Sequence, residues 1–156
     1  MNRKDPSAMA RLRCREIMTK SVSTASPGTT LRDVASIMAA GDVGSVPVID
    51  GGNLVGLITD RDIVIRAVAA GKPPETLAAD VMTKEIFSVR PDDFVFEAIR
   101  LMGDKQIRRI PVVSESGELA GIIAMADIAL ETEDSLEVAE MLEEISSGEG
   151  FWQRRA

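Results

Sequence analysis

The feature that most constrains the fold of this chain is an internal duplication. Residues 17–51 align with residues 81–115 at an offset of 64, and residues 52–64 align with residues 117–129 at an offset of 65. Of these 48 aligned pairs, 13 are identical, and many of the others exchange one aliphatic residue for another. A repeat of this length predicts two similar supersecondary units within a chain of 156 residues.

Each copy is predicted to have the element order β-α-β-β-α. It opens with a short β-prone run, Val22–Ala25 or Ile86–Val89, that ends at a proline-containing turn. Two short strands follow in each copy, near residues 45–49 and 54–58 in the first and near 109–113 and 119–123 in the second. A glycine-containing turn joins the two strands, and a last helix follows them. This order predicts a mixed α/β fold.

The helix after each proline turn is indicated by apolar residues at positions i, i+3, i+4 and i+7. These residues are Leu31, Val34, Ala35 and Met38 in the first copy and Val95, Ala98, Ile99 and Met102 in the second. We expect Thr29 or Thr30 to cap the first helix and Asp93 to cap the second, because their side-chain oxygens accept free backbone N–H groups.

These patterns divide the chain into four segments. We predict a flexible N-terminal segment (1–14), a first repeat (15–72), a second repeat (73–132), and a C-terminal helix and tail (133–156). A helix over Asp134–Ile145 is indicated by its apolar stripe. The aromatic pair Phe151 and Trp152 either packs back on the protein or contacts another chain.

The composition excludes several classes of function. A net charge of −7 and an aromatic content of 3% are poorly suited to nucleic acid, which requires clustered cations and stacking platforms. The chain has no histidine and one cysteine, Cys14, so the commonest general base and zinc motifs are absent. We therefore expect neither an enzyme, a catalytic cofactor nor a metal site.

The sequence also predicts a location. No apolar run approaches the ~18 residues that a membrane span needs. The polar, basic start of the chain lacks the apolar core of a signal peptide. We expect a cytoplasmic protein that does not interact with membranes.

A repeated turn carries the chemistry of interest. The stretch GLITDRDIV at residues 56–64 returns as GIIAMADIA at residues 121–129. Thr59 and Asp62 have the spacing of a capping box at a helix start, which is a structural explanation. The alternative is that the carboxylate accepts hydrogen bonds from both hydroxyls of a ribose. The second copy keeps Asp127 but has Ala124 in place of the threonine, which favours the functional explanation.

Together, these residues resemble a known family. The two turns, the VP-V and IP-V strands before them and the MTK…P openings are similar to those of CBS domains, named from cystathionine β-synthase. The resemblance covers about residues 15–131. It implies two repeats packed as a pseudo-two-fold pair with two clefts, which in many members hold AMP, ADP, ATP or S-adenosylmethionine. It also implies a regulatory module that often forms dimers.

Carried over by position, the resemblance implies a principal ligand site. Asp62 would contact ribose, and Thr59 would lie near phosphate, where Arg108 and Arg109 would also bind. Guanidinium groups suit phosphate because they are always charged and bind it bidentately; the alternative is two solvated arginines on a strand edge. The implied members of the site are Thr59, Arg61, Asp62, Ile86, Phe87, Arg108, Arg109 and Pro111.

The resemblance implies a second, weaker cleft with fewer phosphate partners. Its implied members are Val22, Ser23, Ser45, Pro47 and Asp127. The first-strand residues of each site would contact adenine. Phe87 is equally compatible with flanking a base and with being part of the core. We expect the principal site to favour an anionic adenosine phosphate over S-adenosylmethionine, and the second site to be empty, weak or selective for a less charged ligand.

The leading functional hypothesis is a stand-alone regulatory module that senses AMP, ADP or ATP. We expect it to act as a homodimer and to pass its signal to a protein target. The alternative is an interaction or stress-response protein with the CBS fold that binds no nucleotide, which the degenerate AMAD turn favours.

Overall fold

The structure, a computed structural model, describes residues 11–131. Its helices are α1 (Cys14–Ile17), α2 (Leu31–Gly41), α3 (Asp60–Asp62), α4 (Val95–Lys105) and α5 (Met125–Glu131). A π-helical turn, Ile63–Val68, continues α3, and Ala78–Asp80 form a 3₁₀ turn. The strands are β1 (Ser45–Asp50), β2 (Asn53–Thr59), β3 (Arg109–Val113) and β4 (Leu119–Ala124).

The predicted fold class is confirmed. Strand β1 pairs with β2 and β3 pairs with β4, forming two small sheets beside the helices. The predicted first strands are wrong in extent, because each contributes one parallel bridge, Ala25 to Val48 and Val89 to Val112. The helix predicted over Asp134–Ile145 and the Phe151–Trp152 tail lie outside the described residues.

Local sequence explains the start of only one of the two longer helices. The Thr30 hydroxyl accepts a hydrogen bond from Asp33 N and caps α2 as predicted. The prediction for the second helix is wrong, because Asp93 Oδ2 instead accepts from Arg90 N within the preceding turn. The position before α4 is Phe94, whose side chain cannot cap.

The predicted helical stripes are largely buried. All four stripe residues of α4 are buried, and so are Leu31, Val34 and Met38 of α2. Ala35 is exposed, and Ile37 packs against the core instead. The apolar face of α2 is therefore rotated slightly from the predicted one.

The β1–β2 hairpin sets the position of the repeated turn. Gly51 and Gly52 both have positive φ, at 57° and 86°, which favours a tight two-residue turn without Cβ strain. The antiparallel register then pairs Ser45 with Thr59, so the strand ends that carry predicted site residues lie side by side.

The described chain divides into two compact units that are interleaved in sequence. The Asp62 unit comprises Ser21–Ile86 and Ser116–Leu119. The Asp127 unit comprises the described residues 11–20, Phe87–Glu115 and residues 120–131. Neither unit is a single stretch of chain, whereas the four predicted segments are contiguous, and those boundaries stay a prediction.

Each unit has its own apolar core. The buried residues of the Asp62 unit are Ala25, Leu31, Val34, Met38, Val46, Val48, Ile58, Ala67, Ala78, Val81 and Met82. Those of the Asp127 unit are Cys14, Val89, Val95, Ala98, Ile99, Met102, Ile110, Val112, Ile123 and Ile128. Burial of such side chains from water is the main stabilising term of each unit.

A short segment that precedes each repeat in the sequence completes one of the two cores, in the same way in both. Residues 11–20 join the Asp127 unit, where Thr19 exchanges backbone hydrogen bonds with Ile122. Residues 75–84 serve the Asp62 unit, where Thr83 makes the equivalent bonds with Leu57. Within residues 11–131, no helix is both long enough and apolar enough to cross a membrane.

Candidate functional site

The repeated turn of the Asp62 unit forms a complete capping box. Thr59 Oγ1 accepts a hydrogen bond from Asp62 N at 3.0 Å, and Thr59 N donates to Asp62 Oδ2 at 3.0 Å. Thr59 and Asp62 therefore make both hydrogen bonds of the capping box that their spacing predicted. It also fixes both side chains at the junction of β2 and α3.

Asp62 is largely buried, and its two oxygens have different surroundings. Its side chain is 14% exposed. Oδ2 lies 3.5 Å from Thr83 Oγ1 in addition to its bond with Thr59 N. Oδ1 lies 3.7 Å from Arg66 Nε, which is too long for a strong ion pair. Oδ1 is thus the oxygen that retains capacity to accept a ligand hydroxyl.

The repeated turn of the Asp127 unit keeps half of the box. Asp127 Oδ2 accepts a hydrogen bond from Ala124 N at 2.8 Å. Ala124 has no hydroxyl, so its side chain cannot accept a hydrogen bond from Asp127 N. The carboxylate therefore retains a structural role after the threonine is lost. The sequence analysis took the replacement of threonine by Ala124 as a sign that the aspartate is more than structural. The hydrogen bond of Asp127 shows that the aspartate has a structural role without the threonine.

Arg108 and Arg109 lie at the start of β3. Both side chains are exposed, and neither has a hydrogen-bond or ion-pair partner within residues 11–131. The backbone of Arg108 is fixed, because its carbonyl accepts Met125 N at 2.8 Å. The two arginines are consecutive in the chain, and each exposed guanidinium group can bind an anion.

Phe87 is half-buried and is not among the residues that pack against either described core. The ammonium of Lys105 lies 4.6 Å from the centroid of its ring, which is a cation–π contact. The neighbouring Ile86 is also half-buried. This environment argues against the alternative that Phe87 is part of the core, and its contact with a base stays a prediction.

The other predicted residues differ in accessibility. Pro47 and Pro111 are buried in the strand pairs, where their carbonyls accept Ala25 N and Val89 N. Arg61 is exposed. Val22 and Ser45 are half-buried, and Ser23 is exposed.

The structure brings together only part of the predicted site directly. Thr59 and Asp62 are in hydrogen-bond contact in one unit. Arg108 and Arg109, which are consecutive in the sequence, belong to the other unit together with Phe87. The remaining pairings of the predicted site, whether within one unit or between the two, stay predictions.

Sequence analysis missed three residues around these positions. Asp60 lies beside Gly44, with Oδ2 3.1 Å from the point that a Cβ on Gly44 would occupy. Lys105 contacts Phe87, and Arg66 adjoins Asp62 while its Nη1 donates to Val81 O at 3.3 Å. Asp60 and Lys105 could have been found by aligning the copies, since their counterparts are Met125 and Gly41. Arg66 could have been found from its spacing, because it follows Asp62 by four residues in a predicted helix.

No group of three His, Cys, Asp or Glu side chains within residues 11–131 is arranged to hold a metal ion. Cys14 is buried, and burial together with the charges of Asp93 and Glu97 raises the pKa of its thiol from 9.0 to about 12. A thiol with so high a pKa carries almost no thiolate at neutral pH and is a poor nucleophile or metal ligand.

Comparison with known proteins gives consistent matches. The CBS domain family model matches residues 14–68 and 78–134. The CBS domain-containing protein YhcV of Bacillus subtilis is 40% identical over 116 residues, which cover 74% of this chain and 82% of that protein.

Two solved structures are similar throughout most of their length. Hypoxic Response Protein I, solved with two coordinated zinc ions, has a TM-score of 0.70 and 37% identity, covering 76% of this chain and 98% of that one. The CBS domain pair of protein MJ0100, in complex with 5′-methylthioadenosine and S-adenosyl-L-methionine, has a TM-score of 0.71 and 25% identity. That match covers 78% of this chain and 96% of the other. With two matched repeats and relatives of this identity and coverage, the chain belongs to the CBS domain family as a tandem CBS pair.

Proposed function

We propose that this protein is a regulatory module that binds an adenosine phosphate (AMP, ADP or ATP). The observation that carries the proposal is the pair of exposed guanidinium groups, Arg108 and Arg109, without an acidic partner within residues 11–131. In a chain of net charge −7, two adjacent cations without an acidic partner are an unusual local excess. A phosphate would supply the missing negative charge.

The ribose would be held by Asp62. The capping box orients this carboxylate and leaves Oδ1 as an acceptor for ribose hydroxyls. Thr59 would support the carboxylate through the box, and Ile86 and Phe87 would contact adenine. The proposal thus assigns each chemical part of the ligand to residues that have the matching chemistry. A similar protein solved with 5′-methylthioadenosine and S-adenosyl-L-methionine supports the adenosyl part of the ligand, although neither of those ligands carries a phosphate.

Calorimetry of AMP, ADP and ATP binding tests the proposal. Arg109→Gln and Arg108→Gln should each weaken binding by about tenfold or more, because a hydrogen bond to a charged group contributes about 1.5–3 kcal/mol. Arg100→Gln is the matched control, since Arg100 is an exposed arginine of the same unit on α4, outside the proposed site. It should leave the affinity unchanged.

A second test uses Asp62→Asn. Removing the charge while keeping the shape should weaken AMP and adenosine alike, because the ribose is common to both. The arginine variants should weaken AMP far more than adenosine. If none of the three nucleotides produces heat with wild-type protein at millimolar concentration, the proposal fails.

The alternative is a CBS-fold interaction or stress-response protein that binds no nucleotide. The absence of a threonine from the AMAD turn favours it, as does the name of a relative, Hypoxic Response Protein I. Native mass spectrometry of gently purified protein distinguishes the two, because a co-purified nucleotide contradicts the alternative.

We further propose that the module acts in the cytoplasm as a homodimer and regulates a protein target without catalysing a reaction. A ligand can shift the equilibrium between two states only if its affinities for them differ. Sedimentation velocity with and without nucleotide measures the oligomeric state and any such shift. A monomer under both conditions would remove dimerisation from the proposal.

A further inference from the structure

The Asp127 unit has a basic stretch, Lys105–Arg109, between the end of α4 and the start of β3. Lys105, Arg108 and Arg109 are all exposed, so three cations occur within five consecutive residues. The ammonium of Lys105 lies 4.6 Å from the centroid of the Phe87 ring. Among the described residues, no acidic side chain pairs with these cations, and that includes Asp104, their neighbour in sequence. The basic stretch is therefore a local excess of positive charge.

Other arginines of the same unit have described partners. Arg15 forms an ion pair with the Asp92 carboxylate, and Arg90 Nη1 lies 3.8 Å from Glu115 Oε1. Arg13 Nη1 donates a hydrogen bond to the backbone carbonyl of Asp92 at 2.7 Å. In comparison with these arginines, the basic stretch lacks an acceptor in the part of the chain that the structure describes.

Residues 132–150, which we call the acidic segment, follow directly on the described part of this unit. The segment has 19 residues, of which seven are acidic and none is Lys or Arg. The acidic residues are Glu133, Asp134, Glu137, Glu140, Glu143, Glu144 and Glu149. Like charges in such a run repel one another, so the segment gains free energy from contact with cations.

The last described helix begins beside the basic stretch. Met125 N, at the start of α5, donates a hydrogen bond to Arg108 O at 2.8 Å. Helix α5 ends at Glu131, so the acidic segment begins about 10 Å along the helix from that hydrogen bond. An extended chain covers this distance in about three or four residues. The acidic segment is therefore long enough to turn back and reach the three cations.

The end of α5 also leaves an apolar side chain uncovered. Leu130 is 72% exposed, directly before the residues that lead into the acidic segment. The segment carries apolar residues among its charges, namely Leu136, Val138, Met141, Leu142 and Ile145. A segment that turns back over α5 would cover Leu130, and burial of this apolar surface would add to the attraction between charges.

We infer that the acidic segment docks on the basic stretch of its own chain. The ammonium of Lys105 and the guanidinium groups of Arg108 and Arg109 bind carboxylates of the segment. Exposed ion pairs are individually weak and are screened by salt. The covalent connection compensates for this weakness, because a tethered segment is present at an effective concentration on the order of millimolar. The segment of the same chain is therefore favoured over a free acidic partner.

Docking would regulate nucleotide binding, and this consequence rests on the proposed function. Phosphate and the acidic segment would compete for Arg108 and Arg109. The apparent affinity for the nucleotide would then fall with the fraction of molecules in which the arginines are accessible.

Carbodiimide cross-linking of the full chain tests the docking directly, because this reagent joins a lysine to a carboxylate only when the two are in contact. In low-salt buffer without nucleotide or phosphate, Lys105 should form links to residues 133–149, which peptide mass spectrometry identifies. Lys20 is the matched control, since it is an exposed lysine of the same unit. Its yield of such links should be several-fold lower. Mixing ¹⁵N-labelled with unlabelled protein shows whether a link lies within one chain.

A double variant tests the contribution of the arginines. Arg108→Gln with Arg109→Gln should lower the yield of Lys105 links about threefold or more, and high salt should do the same. Arg11→Gln with Arg100→Gln is the matched control, because both are exposed arginines of the same unit and the net charge changes equally. This control should leave the yield unchanged.

Calorimetry tests the regulatory consequence. Glu143→Gln with Glu144→Gln should strengthen ATP binding about twofold or more, because a competing segment with fewer charges docks less often. Asp42→Asn with Asp50→Asn changes the net charge equally at exposed residues of the other unit and should leave the affinity unchanged.

The outcomes for docking and for nucleotide binding are separate. Lys105 links no more frequent than those of Lys20, or equal losses in the two arginine double variants, would overturn the inference. Links that join labelled to unlabelled chains would also overturn it, because a second copy would then supply the carboxylates. All of these results are obtained without nucleotide. Absence of heat with ATP would overturn the proposed function and leave the docking intact.

Discussion

The Asp62 unit and the Asp127 unit form equivalent cores and different surfaces. Equivalent core positions are buried in both, such as Ile58 and Ile123, or Val48 and Val112. The differences in charge are found where strands begin and helices start, outside the cores. Packing restricts buried positions to apolar residues of similar volume, whereas exposed positions diverge without disturbing the fold.

The repeated turn shows the same distinction on a smaller scale. Both units keep the carboxylate that accepts the backbone N–H three residues earlier, from Thr59 or Ala124. Only one keeps the hydroxyl that completes the box. The aspartate is therefore explained by its hydrogen bond to the backbone in both units, and the ligand binding that we propose would be an additional role for the second oxygen of Asp62.

The largest expected effect tests whether the cores are equivalent. Ile58→Ala and Ile123→Ala should each lower the free energy of unfolding by about 2–5 kcal/mol, because each removes a fully buried side chain and leaves a cavity. Urea unfolding measures both. Val68→Ala, at a residue that is 69% exposed, is the control and should have little effect. If the two variants lose different amounts of unfolding free energy, by more than the experimental error, then one core relaxes around the cavity better than the other.

The next prediction separates the two close-packed glycines. An added Cβ at Gly121 would lie 2.6 Å from the carbonyl oxygen of Thr19, whereas one at Gly56 would meet the side chain of Met82. Backbone cannot move as easily as a flexible methionine. Gly121→Ala should therefore destabilise the protein by about 1–3 kcal/mol, and Gly56→Ala by less.

Thermal unfolding gives this comparison directly. Gly103→Ala on α4 is the control, because nothing lies within 4 Å of the added Cβ. It should raise stability by about 0.5–1 kcal/mol through the higher helix propensity of alanine. A greater loss at Gly56 than at Gly121 would contradict the stated reason.

A smaller effect is expected from exchanging the capping hydroxyl between the units. Thr59→Ala should lower the free energy of unfolding by about 1 kcal/mol, because Asp62 N loses its acceptor. Ala124→Thr should raise it, since the carboxylate half of the box is already present. Chemical denaturation of both variants measures the difference, and a destabilising Ala124→Thr would show that the second turn cannot accommodate a full box.

The smallest effect at neutral pH concerns Cys14, whose counterpart in the other unit is the buried Ala78. Because burial raises the pKa of the thiol to about 12 in the folded protein, the unfolded chain loses its proton first. The stability that depends on the neutral thiol is therefore fully present below pH 9 and is lost as pH rises toward 12.

Comparison with Cys14→Ala isolates this term. The difference in stability between wild type and variant should be constant below pH 9 and should shift against wild type above it. Labelling of native protein with a thiol reagent at pH 8 should be slow and limited by opening of the fold. Rapid labelling would contradict the buried environment of Cys14.

Much of the fold could be predicted from local patterns. The α4 stripe, the two-glycine turn at Gly51 and Gly52 and the Thr30 cap follow from periodicity and backbone preference, which depend on neighbours in sequence. The errors have local causes too. Asp93 accepts a hydrogen bond from Arg90 N within the turn before the helix and does not cap the helix. The first strands have only one bridging position each.

The candidate site was less predictable. Thr59 and Asp62 are three residues apart, so their contact was expected from spacing. The contacts of Phe87 with Lys105 and of Asp60 with the Gly44 position join residues 16 or more apart in sequence. Only folding brings such residues together, and single-sequence patterns carry no signal for them.

The sequence by itself determined the duplication, the order of elements in each copy, the two carboxylates and the unequal distribution of arginine and threonine. The tertiary structure decided that residues 11–20 complete one core and residues 75–84 the other, and that both carboxylates cap the backbone. The physical reason is that periodicity and composition act over a few neighbouring residues. Burial and hydrogen bonding depend on the whole unit, because a segment distant in sequence can cover apolar surface that the rest of the unit leaves exposed.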